Sequence, residues 1–563
     1  MDRGTDGRKG GDGAMRGQAA GRGSSRRTFL AKVGAGALGV ASSGALAAQR
    51  PARAEEGAGQ AAVAETLDCD VLVIGGGASG CCAAIRAAEE GAKVILVEKG
   101  RTLGGCFNLS FAATTYGSRF GAGQPPSFGI PDLEAYISAW LANSHWRCDA
   151  AAVRQLVVNS GKAYDWLADK GLGLTPFGGG SGMLMLPDYA VRPVFWKEKT
   201  TAAVEKSGGR LMLSAAAQSL VKEGAAVVGA VVRERDGGTT RDIRVNAKAV
   251  SISTGGYAGN PEMVREAVGF DVVNGSLPQN VGEGLRMAWE AGAWKPRNFG
   301  GQMLHQTIVR ATNSLAQHFE PFPAKYPLLL AYLPMTLNVG TSGLRFRDEA
   351  LILDPVAASN SSAYQGPHHY VIASKRLLDA LAAGGLAAVG QTSQPGLPPE
   401  MQPPGYTPAT PWKGVYDVFD KGAQLKVVFK GDTPAKLAGA AGMDEAAFVR
   451  TFGDYRRFTL EKKDAQFGKA PAFLLDYGEE GPLYAVKAEV NNLGSFGGIQ
   501  TSLRYEALTA AHRPVPGLYA TGSEAGSNLY NDTYVGSGIG LANAVTSGYL
   551  CGKAMADYAL GRK

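Results

Sequence analysis

Between residues 69 and 100 the chain reads CDVLVIGGGASGCCAAIRAAEEGAKVILVEKG, and the period of its apolar positions changes twice. The unbroken run Val71–Ile74 predicts a strand buried on both faces, since a half-exposed strand would alternate. An alanine-rich stretch, about Ser79 to Glu90, has helical spacing, and a second run, Val94–Val97, ends in Glu98. Strand, glycine turn, helix and strand open an α/β unit with a parallel sheet. A second βα-like region is expected at about 210–260, ending KAVSISTGGYAGNPEM. From about 300 to 480 aromatics and prolines become denser. Gln394–Pro411 (QPGLPPEMQPPGYTPATP) is a loop, because closely spaced prolines defeat helix and ladder alike. Phe448, Phe452 and Tyr455 recur at helical spacing and form a core face. Strand-and-turn character returns at about residue 483. The pattern predicts a discontinuous first domain (67–298 and 481–563) interrupted by an inserted domain (299–480), after a leader (1–54) and a polar linker (55–66).

Composition supports this size: 563 residues, 45% of them hydrophobic, suffice for two large cores. The net charge of +7 is misleading, because residues 1–54 alone hold ten Lys or Arg against three Asp. The rest of the chain is formally neutral, which argues against a nucleic-acid partner. The leader reads as a twin-arginine export signal. Ser25-Arg26-Arg27-Thr28-Phe29-Leu30 precedes Lys32, an apolar Gly/Ala-rich run to about Ala48, and Ala52-Arg53-Ala54, which suits cleavage after Ala54. That run is too short and weakly hydrophobic to span a membrane stably. The expectation is passage through the twin-arginine translocase to a periplasmic or other extracytoplasmic site. None of the six cysteines forms C-x-x-C or a zinc-type pair of pairs, so no metal site is expected and electrons must come from a separate carrier.

The chemistry begins at Gly75-x-Gly77-x-x-Gly80, placed directly between strand and helix. Gly75 permits the tight turn, Gly77 lets backbone approach a pyrophosphate, and Gly80 allows close helix–strand packing. The helix N-terminus at Ala78 and Ser79 offers free N–H groups to an anion. Glu98, at the end of the next strand, is placed to accept hydrogen bonds from a ribose diol. This arrangement predicts dinucleotide binding.

The wider set of motifs resembles one family. IGGGASG, VEKG, Leu103-Gly104-Gly105, STGGYAGNPEMV, VGEGLRMAWEAGA, GLRFRDE, DAQFGK, PLYAV, GGIQTS and PGLYATGS are similar, in order, to motifs of the fumarate reductase/succinate dehydrogenase flavoproteins. That family includes 3-ketosteroid dehydrogenases and exported reductases. The resemblance implies an α/β fold, with a discontinuous Rossmann-like FAD-binding domain and an inserted α+β capping domain. It implies FAD as cofactor, contacted through Gly75, Gly77, Ala78, Ser79, Gly80, Glu98, Lys99, Gly104, Gly105, Cys106 and Ser110. Thr254, Gly255, Gly256, Glu283, Ser523 or Glu524, and the Ile539-Gly540-Leu541 backbone complete the implied set. The final helix would point its N-terminus at the flavin's N1–C2 carbonyl.

Three departures shape the expected function. The family's catalytic arginine falls near Tyr332, a clamping histidine near Gly494 and a second arginine near Tyr534. Without a fork of arginine donors a C4-dicarboxylate is a poor substrate. Instead Tyr534-Val535-Gly536-Ser537-Gly538 resembles the Y-P-G-x-G turn with which 3-ketosteroid dehydrogenases grip a ketone oxygen. The resemblance implies that Tyr534 and the N–H of Gly538 polarise a conjugated C=C, and His305 in HQT resembles a family histidine expected to line the substrate pocket. Tyr332, standing where the family has its arginine, is expected to relay the proton, and Tyr116 in AATTYGS to line the pocket as a further phenol. Two functions share these residues. One is an exported FAD-dependent reductase of an activated C=C in a small enone or enoate, fed by a quinol-linked or cytochrome-type donor. The other is a 3-ketosteroid-like dehydrogenase that passes electrons to a quinone or other acceptor.

Overall fold

The computed structural model describes residues 63–121, 132–177, 183–236, 238–296, 301–393, 405–478, 481–532 and 534–562; the expected leader, and most of the linker and of the proline-rich loop, lie outside them. Two sheets organise the chain. The first opens with β1 (Glu65–Ile74), helix α1 (Ala78–Glu89) and β2 (Val94–Glu98). After helix α2 (Val191–Lys206), it continues through β3 (Arg210–Leu213), β4 (Ala215–Glu223), β5 (Ala226–Asp236) and β6 (Thr239–Ile252). The second contains β7 (Val273–Asn274), β8 (Gly301–Thr307), β9 (Leu337–Val339), β10 (His368–Ala373), β11 (Val428–Gly431) and β12 (Leu483–Phe496). Strands β13 (Glu506–Leu508) and β14 (Pro514–Ala520) return to the first sheet, and helix α4 (Ile539–Ala559) closes the chain. Helix α3 (Glu445–Glu461), within the cap, buries Phe448, Phe452 and Tyr455.

The first sheet has the order β13-β14-β6-β1-β2-β3, with β4 and β5 added through β6. Strand β1 runs parallel to both β2 and β6, pairing Val71–Ile74 with Val94–Val97 and with Ala249–Ile252. Its last four residues are at most 3% exposed, so the strand is covered on both faces; α1 and α4, packed against each other, supply one of the covers. This explains the unbroken apolar run.

Two expectations change. The region 210–260 is an antiparallel meander, β4-β5-β6, with turns at Gly224 (φ +61°) and Gly238 (φ +91°), rather than a βα unit. The cap sheet also extends beyond residue 480. Its spine is β12, which pairs with β7 in parallel and with β8, β10 and β11 antiparallel.

Two of the recognised motifs, GLRFRDE and DAQFGK, meet inside the cap. Arg345 donates to Glu349 (Nε–Oε1 and Nη2–Oε2, both 2.8 Å) and to Asp464 (Nη1–Oδ1 2.9 Å, Nη2–Oδ2 2.8 Å), while Lys469 Nζ lies 3.1 Å from Glu349 Oε2. All four side chains are at most 1% exposed. Burial alone would raise the Asp464 carboxyl's pKa; the bonds from Arg345 and from the N–H groups of Lys469 and Gln466 instead hold it well below the usual carboxylate range. A depressed pKa contributes stability above the unfolded value of about 3.9 and loses it as pH falls through and below that value. Asp464→Asn should cost about 3–5 kcal/mol, because it leaves buried Arg345 undercompensated. Chemical denaturation at neutral pH checks this; a loss under about 1 kcal/mol would make the cluster dispensable.

Candidate functional site

A cavity of about 430 Å³ opens at the carboxyl ends of β1, β2 and β6, where the strand order of the first sheet reverses. Open parallel sheets bind ligands at this position. Its wall includes Gly75, Gly77, Ala78 and Ser79 from the glycine turn, and Glu98, Lys99, Gly104, Gly105, Cys106 and Ser110 from the next crossover. Thr254, Gly255, Glu283, Ser523, Tyr534, Gly538, Gly540 and Leu541 complete the expected residues found there.

The glycine turn is built for a phosphate. Helix α1 begins at Gly77 with no side-chain cap, so its first N–H groups are free to face an anion. A Cβ on Gly77 would meet nothing within 4 Å, which marks an open approach from the cavity. Gly75 has φ +106°, a conformation that glycine adopts without strain. Glu98 is fixed beside it: Oε2 accepts from Gly76 N (2.7 Å) and Oε1 from Gly100 N (2.6 Å). The carboxylate keeps lone pairs for a diol. Lys99 ties the same wall to Glu283 (2.7 and 2.8 Å) and to the carbonyl of Gln279. These features fit the adenosine diphosphate part of FAD. Glu98→Ala should therefore purify with markedly less flavin, measured as visible absorbance relative to protein; unchanged flavin content removes Glu98 from the ribose contact.

Another part of the wall is aromatic and apolar: Met303, Leu493, Phe496 and Tyr534. Tyr534 stacks on Phe496 with ring centres 5.1 Å apart and planes 20° apart. Its hydroxyl accepts the N–H of Gly540 at 2.6 Å, at the start of α4, which leaves the phenolic proton available to a ligand. Burial pushes its pKa up despite the opposing N–H groups of Gly540 and Ile539, so the phenol is neutral at physiological pH. This qualifies one expectation: the first turn of α4 faces the cavity, but the Gly540 N–H is already held by Tyr534. Gly538 (φ +75°) is pinned where its carbonyl accepts from Thr114 N at 3.2 Å.

Seven expected residues stand outside the cavity wall. Gly80 works from behind, since a Cβ there would lie 1.9 Å from the Gly75 carbonyl oxygen. Glu524 is fully buried and braces the Thr254–Gly256 turn, accepting from Thr254 Oγ1 (2.6 Å) and Gly256 N (2.9 Å); of the pair Ser523 and Glu524, Ser523 is the one in the wall. Gly256 belongs to that brace, and Ile539 packs in the apolar cluster with Tyr534. Tyr116 joins the edge of the same cluster instead of the cavity. His305 is 3% exposed on β8, and burial lowers its pKa to about 4, so the ring is neutral. Tyr332 is corrected most sharply. It lies in the cap's core, and its hydroxyl donates to the Gln306 carbonyl at 3.0 Å. A phenol spent on a carbonyl and packed in hydrocarbon is not placed as a proton relay.

The sequence reading missed Arg192 and the apolar wall. Buried Arg192 donates to the carbonyls of Pro187, Phe107, Asn108 and Ser110, holding the segment that follows the second glycine pair. No local motif marks an arginine that recognises carbonyls 82 residues away. Met303, Leu493 and Phe496 look like any apolar strand residues until the pairing of β8 with β12 is known.

Comparison with known proteins agrees with the glycine cradle. A family model described as "FAD binding domain" matches residues 70–311 and 345–541. The chain belongs to this family. It is an FAD-dependent oxidoreductase. Among relatives, a vinyl phenol reductase of Lactiplantibacillus plantarum is 26% identical over 478 residues, covering 83% of this chain and 91% of that protein. A fumarate reductase (cytochrome) of Shewanella frigidimarina is 25% identical over 510 residues, covering 87% and 77%. The fold is shared with the crystal structure of a 3-ketosteroid Δ4-(5α)-dehydrogenase from Rhodococcus jostii (TM-score 0.61, 18% identity, 87% of this chain and 97% of that one).

Proposed function

We propose that this flavoenzyme reduces the activated C=C bond of a small uncharged or monoanionic molecule. The observation that carries this reading is the charge of the cavity wall. Among the described lining residues the only charged side chains are Glu98, Lys99 and Glu283, and Lys99 is paired with Glu283; no arginine or histidine is present. A dicarboxylate needs paired guanidinium donors, whereas Phe496, Tyr534 and Met303 offer an apolar slot with one hydroxyl. FAD, when bound, supplies the hydride. Tyr534 then holds a neutral O–H toward the substrate, and the Gly538 backbone flanks it; two donors on one carbonyl stabilise charge as it develops there. Tyr534 can pass that same proton to the oxygen as charge develops, giving an enol that tautomerises with solvent. A buried neutral phenol donates rather than accepts a proton near neutrality, so no separate relay from Tyr332 is needed. The vinyl phenol reductase and a urocanate reductase of Eggerthella lenta (24% identical over 486 residues, 84% of this chain and 72% of that protein) support reduction of a C=C bond.

The reverse reaction, desaturation beside a ketone, uses the same residues and is favoured by the Tyr534–Gly538 turn. One anaerobic experiment separates the two. Chemically reduced holoenzyme should be reoxidised by uncharged enones or monoanionic enoates and not by fumarate. Reduction of oxidised holoenzyme by saturated ketosteroids, with no response to any alkene, would select the dehydrogenase instead. The Ser25–Leu30 motif supports export by the twin-arginine route, with electrons drawn from an extracytoplasmic carrier. Expression of the full chain should place the folded protein outside the cytoplasm, and Arg26→Lys with Arg27→Lys should retain it inside.

A further inference from the structure

Phe496 ends β12, lines the cavity and stacks on Tyr534, and glycines from three different segments crowd against it. A Cβ on Gly494, in the same strand, would lie 3.2 Å from the Phe496 ring at Cζ and 3.3 Å at Cε2. One on Gly526, in the Glu524–Asn528 turn, would lie 3.1 Å from the Phe496 Cβ. One on Gly540, in the first turn of α4, would lie 2.9 Å from Cε1, 3.0 Å from Cζ and 3.3 Å from the Tyr534 hydroxyl oxygen. None of these three glycines has a positive φ, so the space beside Phe496, and not the backbone conformation, is what asks for glycine. The strand end is pinned as well. Between the pairs Gln302–Ser495 and Leu304–Asn492, β12 carries one residue more than β8, and this bulge brings Leu493 and Gly494 both to the cavity wall. Gly494 N closes the bulge by donating to Asn492 Oδ1 at 3.0 Å. Asn492 Nδ2 in turn donates to Gln302 Oε1 at 2.8 Å, and Gln302 Nε2 to the hydroxyl of Tyr257, in the nucleotide-binding half, at 2.6 Å. All three of these side chains are buried.

Glycine inside a helix costs stability relative to alanine, and a ring that merely filled space would pack against side chains. Here side chains are forgone at three positions, and one ring is fixed in place. From this geometry we infer that Phe496 is a positioning residue for Tyr534, holding the plane of the phenol so that its O–H meets the substrate oxygen. That role rests on the reading of Tyr534 as the proton donor in alkene reduction. The N–H of Gly540 fixes the phenolic oxygen at one point only, and a ring held at one point still pivots about it. The stack on Phe496, with planes 20° apart, removes that freedom. Misplacing a reacting group by about 1 Å costs on the order of 10²-fold in rate, so a small shift of the Phe496 ring reaches the chemistry. A methyl group at any of the three glycines would make Phe496 give way and carry the phenol with it.

The test is a double-mutant cycle in anaerobic holoenzyme, read as reoxidation of the reduced flavin by saturating cyclohex-2-enone, crotonate or cinnamate. Phe496→Leu keeps the wall apolar but removes the stack, and should slow reoxidation about ten- to a hundredfold. Gly526→Ala, which lies outside the cavity wall, should slow it by a smaller factor without changing the alkene concentration that half-saturates the rate. In Tyr534→Phe holoenzyme the factor for Phe496→Leu should shrink towards one, and that for Gly526→Ala should vanish. Equal factors in the two backgrounds would make Phe496 a substrate contact or a packing residue, which overturns the positioning role and leaves alkene reduction standing. Native rates in both variants overturn it too, as does loss of flavin from both. If no alkene reoxidises the unaltered holoenzyme, Tyr534 is not a proton donor to alkenes and the role of Phe496 falls with it.

Discussion

Tyr534→Phe lowers the rate at which an alkene reoxidises the reduced holoenzyme by roughly ten- to a thousandfold, with flavin content unchanged. The magnitude overlaps the lower part of what one positioned proton donor contributes, about 10²–10⁴-fold. The substitution removes only the hydroxyl; the ring stays stacked on Phe496, so the wall keeps its shape. In the unaltered enzyme Tyr534 should introduce no loss of rate as pH rises through the neutral range, because burial keeps the phenol protonated there. Stopped-flow spectroscopy of the flavin separates this step from substrate binding. A variant with native rates would show that Tyr534 only seals the start of α4 through the Gly540 N–H.

Gly80→Ala abolishes flavin retention. The new methyl carbon would stand 1.9 Å from the Gly75 carbonyl oxygen, which is backbone and cannot rotate away. Either α1 lifts from β1 or the turn deforms, and both displace the free N–H groups that hold a pyrophosphate. Overpacking of this kind costs about 1–3 kcal/mol in stability, yet its effect on the cofactor is larger, because the turn is the cofactor's anchor. Gly439→Ala, on a cap helix where an added Cβ meets nothing within 4 Å, is the matched control and should stay fully yellow. A Gly80→Ala protein with native flavin content and melting temperature would contradict this account of the turn.

Much of this architecture was readable from residues, and the parts that were not share a cause. The opening strand, glycine turn, helix and acid were legible because each has a local signature: an apolar run, a backbone requirement, a cap and a spacing. The α3 face of Phe448, Phe452 and Tyr455 was legible for the same reason. The β4–β6 meander was misread because apolar runs of four to eight residues do not declare strand direction; pairing does, and pairing is non-local. Tyr332 was assigned from its count back from Gly343, which fixes distance along the chain but not the facing of a side chain. The structure turns it toward Gln306. His305 stands beside the cavity rather than in it, on a strand whose pairing with β12 no local signature announces.

One strand binds these observations together. β12 pairs with every strand of the cap sheet except β9 and ends in Leu493, Gly494 and Phe496, three residues of the cavity wall. At its exit Gly497 donates its N–H to the carbonyl of Ser523, in the nucleotide-binding half. The strand therefore acts as a lever crossing from one half to the other. A change that tilts this strand reaches the Phe496–Tyr534 stack directly, so the register of the cap sheet and the seat of the phenol are set by one and the same segment.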